Sequence, residues 1–156
     1  IMIEIIKSPK SDCHRVDGKI EKSNLWLSMA RHMDNVADGM DFFATKILDA
    51  GMAHDYTKMT MFDEYHEAVE SGKKNKSEWY QKHKELERHH IVEQEYNDVT
   101  LIDVLEYISD CVMAGSVRSN DPQAINIKIS DAILQKAFQN TLEMLKKEVI
   151  VKEVSE

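Results

Sequence analysis

Apolar residues recur every three or four positions along most of this chain, the spacing of helices that bury one face. Leu25, Met29, Met33, Val36 and Met40 form one such stripe, behind Ser23 or Asn24 as a cap. That helix is expected to reach about Met40, with Gly39 as a breaking point. Residues 41–50 then resume it, and Gly51 suits its C-terminal end. A connector at 53–58 carries His54 and Asp55. Thr60 can cap a helix over 61–70, and Lys73, Lys74 and Lys76 form a solvated loop behind it. Ser77 opens the next helix, with Trp79, His83, Leu86 and His90. Thr100 followed by Asp103 is a capping-box pattern for a helix over 101–117, striped by Leu101, Val104, Leu105, Ile108 and Val112. Asp121 and Pro122 start a turn. The last helix, 130–149, carries Ile133, Leu134, Ala137, Phe138, Leu142 and Leu145. Ile3, Ile5 and Ile6 suggest an extended piece, confined to 1–7, and 8–18 a loop. The expected fold is all-α: one domain over 1–156, five to seven helices, no central sheet.

Composition agrees. Five Gly and two Pro in 156 residues leave few breakers, and 42% apolar with 31% charged residues is a globular balance. The formal charge of −8 repels a phosphodiester backbone, so a nucleic-acid polymer is not an expected partner. No apolar run approaches the ~20 residues of a membrane span. Cys13 and Cys111 stand far apart, as in a reduced, cytoplasmic protein.

Chemistry enters through seven histidines. His14 and His66 have no companions. His32, His54, His83, His89 and His90 fall on successive helices or helix ends, where imidazoles can converge on a divalent ion with carboxylates completing its shell. Taken singly, each has a plainer reading. His32 borders the apolar stripe as a core histidine would, and His54-Asp55 is an ordinary helix-boundary pair. His83 and His90 share a helical face with Trp79, while His89 points elsewhere on a regular helix. Asp110 faces away from the stripe of its helix.

Their order is more specific. His32, then His54-Asp55, then Asp110, each in a helical setting, resembles the H…HD…D signature of the HD-domain metal-dependent phosphohydrolases. A small phage and bacterial group in that style is closer still. The matching pieces are His32, H54-D-Y-T-K58, Glu64-Tyr65, W79-Y-Q-K-H83, E87-R-H-H90 and L105-E-Y-I-S-D110. They cover about 25–118.

The resemblance implies an HD-like helical bundle with His32, His54, Asp55 and Asp110 as a first metal site. His83, His89 and His90 are then candidates for a second. One or two divalent ions (Mn, Co, Fe, Mg or Zn) would activate water against a small phosphorylated substrate, a nucleotide or nucleotide-like metabolite. Asp55 and Lys58 are the implied catalytic pair, Lys58 also binding the substrate; Arg31, Arg88 and Lys84 are nearby cations expected to bind a further phosphate, with a solvated helix position as the plainer reading of each. The Gly-Tyr-Pro motif of the cyclic-dinucleotide branch is absent after His90. Two other readings stand beside this one: a di-iron oxygenase on the same ligands, and a non-catalytic acidic interaction protein. The host cytoplasm is the expected compartment, and the oligomeric state is open, a dimer included.

Overall fold

A computed structural model describes residues 2–7 and 20–154; the loop expected at 8–18, with Cys13 and His14, lies outside them. The described chain runs β1 (Ile3–Lys7), α1 (Lys22–Ala53), α2 (Tyr56–Thr60), α3 (Phe62–Glu70), α4 (Glu78–Leu86), α5 (Leu101–Ser119), α6 (Asp131–Glu148) and β2 (Val149–Glu153), with 3-10 turns at Lys74–Lys76 and Pro122–Ala124. The fold is all-α, with one small two-stranded sheet. No helix among the described residues is long and apolar enough to cross a membrane.

The chain divides into two units. The first joins Ile1–Thr45 to Leu142–Glu156, and the second is Lys46–Thr141. In the first, β1 and β2 pair in parallel, Ile3 opposite Val149 through Lys7 opposite Glu153. Ion pairs Lys7–Glu153 and Lys152–Glu4 tie the strands. β2 corrects the expectation that the last helix runs to 149 and that strand is confined to 1–7. Val149, Ile150 and Val151 form a β-branched run, which favours extended backbone once a partner strand is present.

α1 departs further. Gly39 does not break it and Gly51 does not end it; a single interior glycine costs about 1 kcal/mol relative to alanine, which the rest of a 32-residue helix outweighs. Its buried residues are Ser28 and Phe42, whereas Leu25, Met29, Met33, Val36 and Met40 are all exposed. The expected core stripe lies on the outside.

The second unit is built around Ile91, Val99, Val104 and Ala137, with Tyr96, Leu101, Tyr107, Ile129 and Ile133 packed against them. The capping box of α5 is complete, with Thr100 accepting from the Asp103 amide and the Asp103 carboxylate accepting from the Thr100 amide. Ser77 caps α4 by accepting from the Tyr80 amide. α4 stops at Leu86, because Glu87 turns to extended backbone. His89 and His90 therefore lie on the turn after the helix, not on its face with His83. Arg88 fixes that turn. It donates to both carboxylate oxygens of Asp103 (2.9 Å each), to Asp98 Oδ1 (2.9 Å) and to the Asp98 carbonyl (3.0 Å), and it stacks on Tyr96.

Candidate metal centre

Every group of the centre belongs to the second unit. His54 follows α1, and Asp55 comes next with φ 59°, ψ 20°. That left-handed backbone is uncommon outside Gly and Asn, and such strain gathers at functional sites. It turns the chain between α1 and α2 so that consecutive side chains, His54 and Asp55, reach one point.

Glu106, on α5, organises the imidazoles. Its Oε1 lies 2.9 Å from His54 Nδ1 and 3.2 Å from His89 Nδ1. A carboxylate can only accept, so both Nδ1 atoms carry the proton and both Nε2 lone pairs are free. Those Nε2 atoms face Asp55. His54 Nε2 is 3.4 Å from Asp55 Oδ2 and 3.6 Å from Asp110 Oδ1. On the other carboxylate oxygen, Asp55 Oδ1 is 3.5 Å from His83 Nε2 and 3.8 Å from His89 Nε2. These separations are long for hydrogen bonds and suit atoms that share a cation at ~2.0–2.2 Å each. Asp55 Oδ1 is buried with no hydrogen-bond partner among the described residues, and so is His90 Nε2. Buried polar atoms left without a partner among clustered imidazoles and carboxylates fit a bound cation.

Among the described residues, three groups meet the spacing needed to hold a metal ion: His54 with Asp55 and Asp110, His54 with His89 and Glu106, and His83 with His89 and His90. In the second, the short Nδ1 contacts suit Glu106 to orienting the rings. Thr57 and Glu87 brace the set, Thr57 Oγ1 sitting 2.6 Å from His83 Nδ1 and the Thr57 amide donating to Glu87 Oε1 at 2.7 Å. Trp79 stacks on His83 with ring centres 4.8 Å apart.

The electrostatics suit a cation. Burial pushes His83 down to about 3, leaving a neutral ring at pH 7. Burial also lowers His90, with His89 adding to it. For His89 burial opposes the charged form, but the bond to Glu106 and the Asp55 charge outweigh it and raise the ring. Asp55 is held below its ordinary range although burial works the other way, because Lys58 bonds to it.

Of the residues expected from sequence, the structure brings together His54, Asp55, Asp110, His83, His89 and His90, with Lys58 on Asp55 Oδ2. His32 belongs to the first unit, is exposed, and joins none of the metal-holding groups. α1 is unbroken from Lys22 to Ala53, so no turn lies between His32 and His54 to fold one back on the other. Arg88 is committed to Asp98 and Asp103, and Arg31 lies in the first unit with interactions of its own. The Arg88 guanidinium is therefore taken up by these carboxylates and does not face the centre. Asp110 faces the site because α5 carries its core contacts on another side, through Val104 and Leu101.

Two residues escaped the sequence reading. Glu106 lies inside the matched segment, one helical turn before Asp110, a spacing that puts both carboxylates on one face. Lys74, expected in a solvated loop, has its ammonium 5.5 Å from the centre of the Tyr80 ring. Burial and the neighbouring Lys58 charge lower it, while Asp55 and Asp110 pull the other way; nothing in the local sequence signals that placement.

Beside His54 and Asp110 opens a groove of about 300 Å³ whose walls are mostly apolar, with Ile47, Ala50 and Gly51 facing Leu105 and Met113.

Comparison of the chain with family models, with curated proteins and with solved structures returns no match.

Proposed function

We propose that the chain is a metal-dependent phosphohydrolase acting on a small phosphate ester, with a nucleotide or nucleotide-like metabolite as the first class to test. One observation carries the reading: the two oxygens of Asp55 face separate sets of imidazole nitrogens, His54 on one side and His83 with His89 on the other. That arrangement suits a carboxylate shared between two divalent ions. His54, Asp55 and Asp110 would hold the first, without His32. Asp55, His83 and His89 would hold the second, with His90 beside them. When bound, such ions polarise a phosphoryl oxygen and bring a water towards neutral pKa.

The remaining work falls to the chain. Glu106 keeps the Nε2 lone pairs of His54 and His89 aimed inward. Lys58, paired with Asp55, neutralises charge on the phosphoryl group, since an ammonium has no lone pair for a metal. Lys74 adds a second positive charge. The groove from Ile47 to Met113 takes the organic part of the ester, and its walls exclude water from one side.

The test is elemental analysis of the purified protein, then turnover of nucleoside monophosphates and p-nitrophenyl phosphate with Mn, Co, Mg or Zn. Hydrolysis lost in EDTA and restored by metal supports the proposal. Iron content with substrate-dependent oxygen uptake and no phosphate release would replace it with the di-iron oxygenase. Protein that purifies without metal, binds none and is indifferent to chelator would leave the non-catalytic acidic module.

A further inference from the structure

The outer face of α1 has a finer order than an apolar stripe. Trp26, Met29, Met33, Val36, Met40 and Phe43 are spaced by three, four, three, four and three residues, the alternation of a two-helix seam. All six lie in the first unit, and the first five are between 49% and 65% exposed. The inward side of the same stretch is the less apolar one, with Asn24, Ser28, Arg31 and Asn35 next to Leu27 and Phe42. A solvated helix normally shows the reverse arrangement. Beside the seam, Ala30, Ala37 and Ala44 recur every seven residues and let another backbone approach to about 8–10 Å.

We propose that this face is a homodimer interface, in which α1 of a second copy packs antiparallel on the seam about a two-fold axis between Met33 and Val36. The sequence of side-chain sizes decides the occupant. Read in opposite directions, the seam places Met33 against Val36, Met29 against Met40 and Trp26 against Phe43, so it is complementary to itself as a two-fold contact requires. None of the six seam residues or three alanines is charged, so the −8 of each copy is not concentrated at the contact. Five side chains exposed by half or more offer of order 100 Å² each, so two copies bury roughly 1,000–1,200 Å², the lower edge of stable interfaces.

The experiment is sedimentation of the full chain from 1 to 200 µM, with Met33→Glu/Met40→Glu as the disrupting variant and its circular dichroism as the folding control. A concentration-dependent dimer, weakened at least 100-fold by the two glutamates, is the expected result. A second arm removes the background thiols (Cys13→Ser, Cys111→Ser) and adds Met33→Cys with Val36→Cys, which should give an interchain disulfide on mild oxidation. This arm reads the interface even if the glutamate variant misfolds. A wild-type chain monomeric at 200 µM overturns the proposal, as does a dimer indifferent to folded Met33→Glu/Met40→Glu. Efficient cross-linking through Met29→Cys alone, a position about 16 Å from its mate in the antiparallel pair, indicates parallel helices and overturns it too. Shielding of Trp26 from acrylamide in a monomer would assign the face to the chain itself, with the same consequence.

Discussion

Asp55 carries three demands at once: a left-handed backbone, a buried oxygen without a partner, and a bond to Lys58. Asn tolerates the left-handed region and lacks the charge, so Asp55→Asn separates structure from metal binding. Metal content should fall to background, while the melting temperature in EDTA stays within a few degrees of that of the unaltered chain, since the substitution loses only the ion pair with Lys58. Glu106 acts through other residues. Removing its carboxylate leaves two imidazole N–H groups without their acceptor, so Glu106→Ala should weaken metal binding about 10–100-fold in a competition titration. Lys58→Ala should lower turnover with metal content unchanged, by elemental analysis of the same sample. Most of the groups that meet at the candidate centre were legible in the order of His54, Asp55, His83, His89, His90 and Asp110. His32 was not, because a one-letter pattern does not reveal that the helix between two of its members is unbroken.

At the scale of elements, polar side chains fix the loop that delivers His89 and His90. Four hydrogen bonds from Arg88 hold the turn after α4 to the start of α5. Arg88→Ala removes the charged partner of the buried Asp103, leaving it only Thr100, and should cost about 2–3 kcal/mol by urea unfolding. Part of that loss depends on pH. Arg88 holds the Asp98 carboxyl below its ordinary 3.8, so the unfolded chain takes up its proton first as pH falls. The Asp98 contribution is full above about pH 4 and disappears as pH drops through the folded value, so the penalty of Arg88→Ala should narrow towards pH 3. Helices with a capping signal were the easiest to place, as Thr100 and Ser77 show, because a cap acts within three residues. α1 and β2 were not legible for the opposite reason. Gly39 and Gly51 suggested ends that its neighbours override, and 149–153 becomes strand only through a partner some 146 residues away in sequence.

For the molecule as a whole, metal should act as a stabilising ligand of the second unit. At a concentration 100 times its dissociation constant, an ion bound only by the folded chain adds about 2.7 kcal/mol. Chelator should therefore lower the unfolding midpoint of that unit, and Asp55→Asn should be insensitive to it.

The parallel pairing of β1 with β2 sets an order in time. A ribosome adding about 5–20 residues per second releases β1 long before β2 exists, a wait of roughly 7–30 s. The second unit lies wholly between them in sequence and has all its core residues by Ala137. It can therefore close while Ile3 still lacks its strand partner, and the sheet forms after it. A pause placed just before the codon for Val149 would lengthen that interval without touching the centre, and protease added during it would take β1 first.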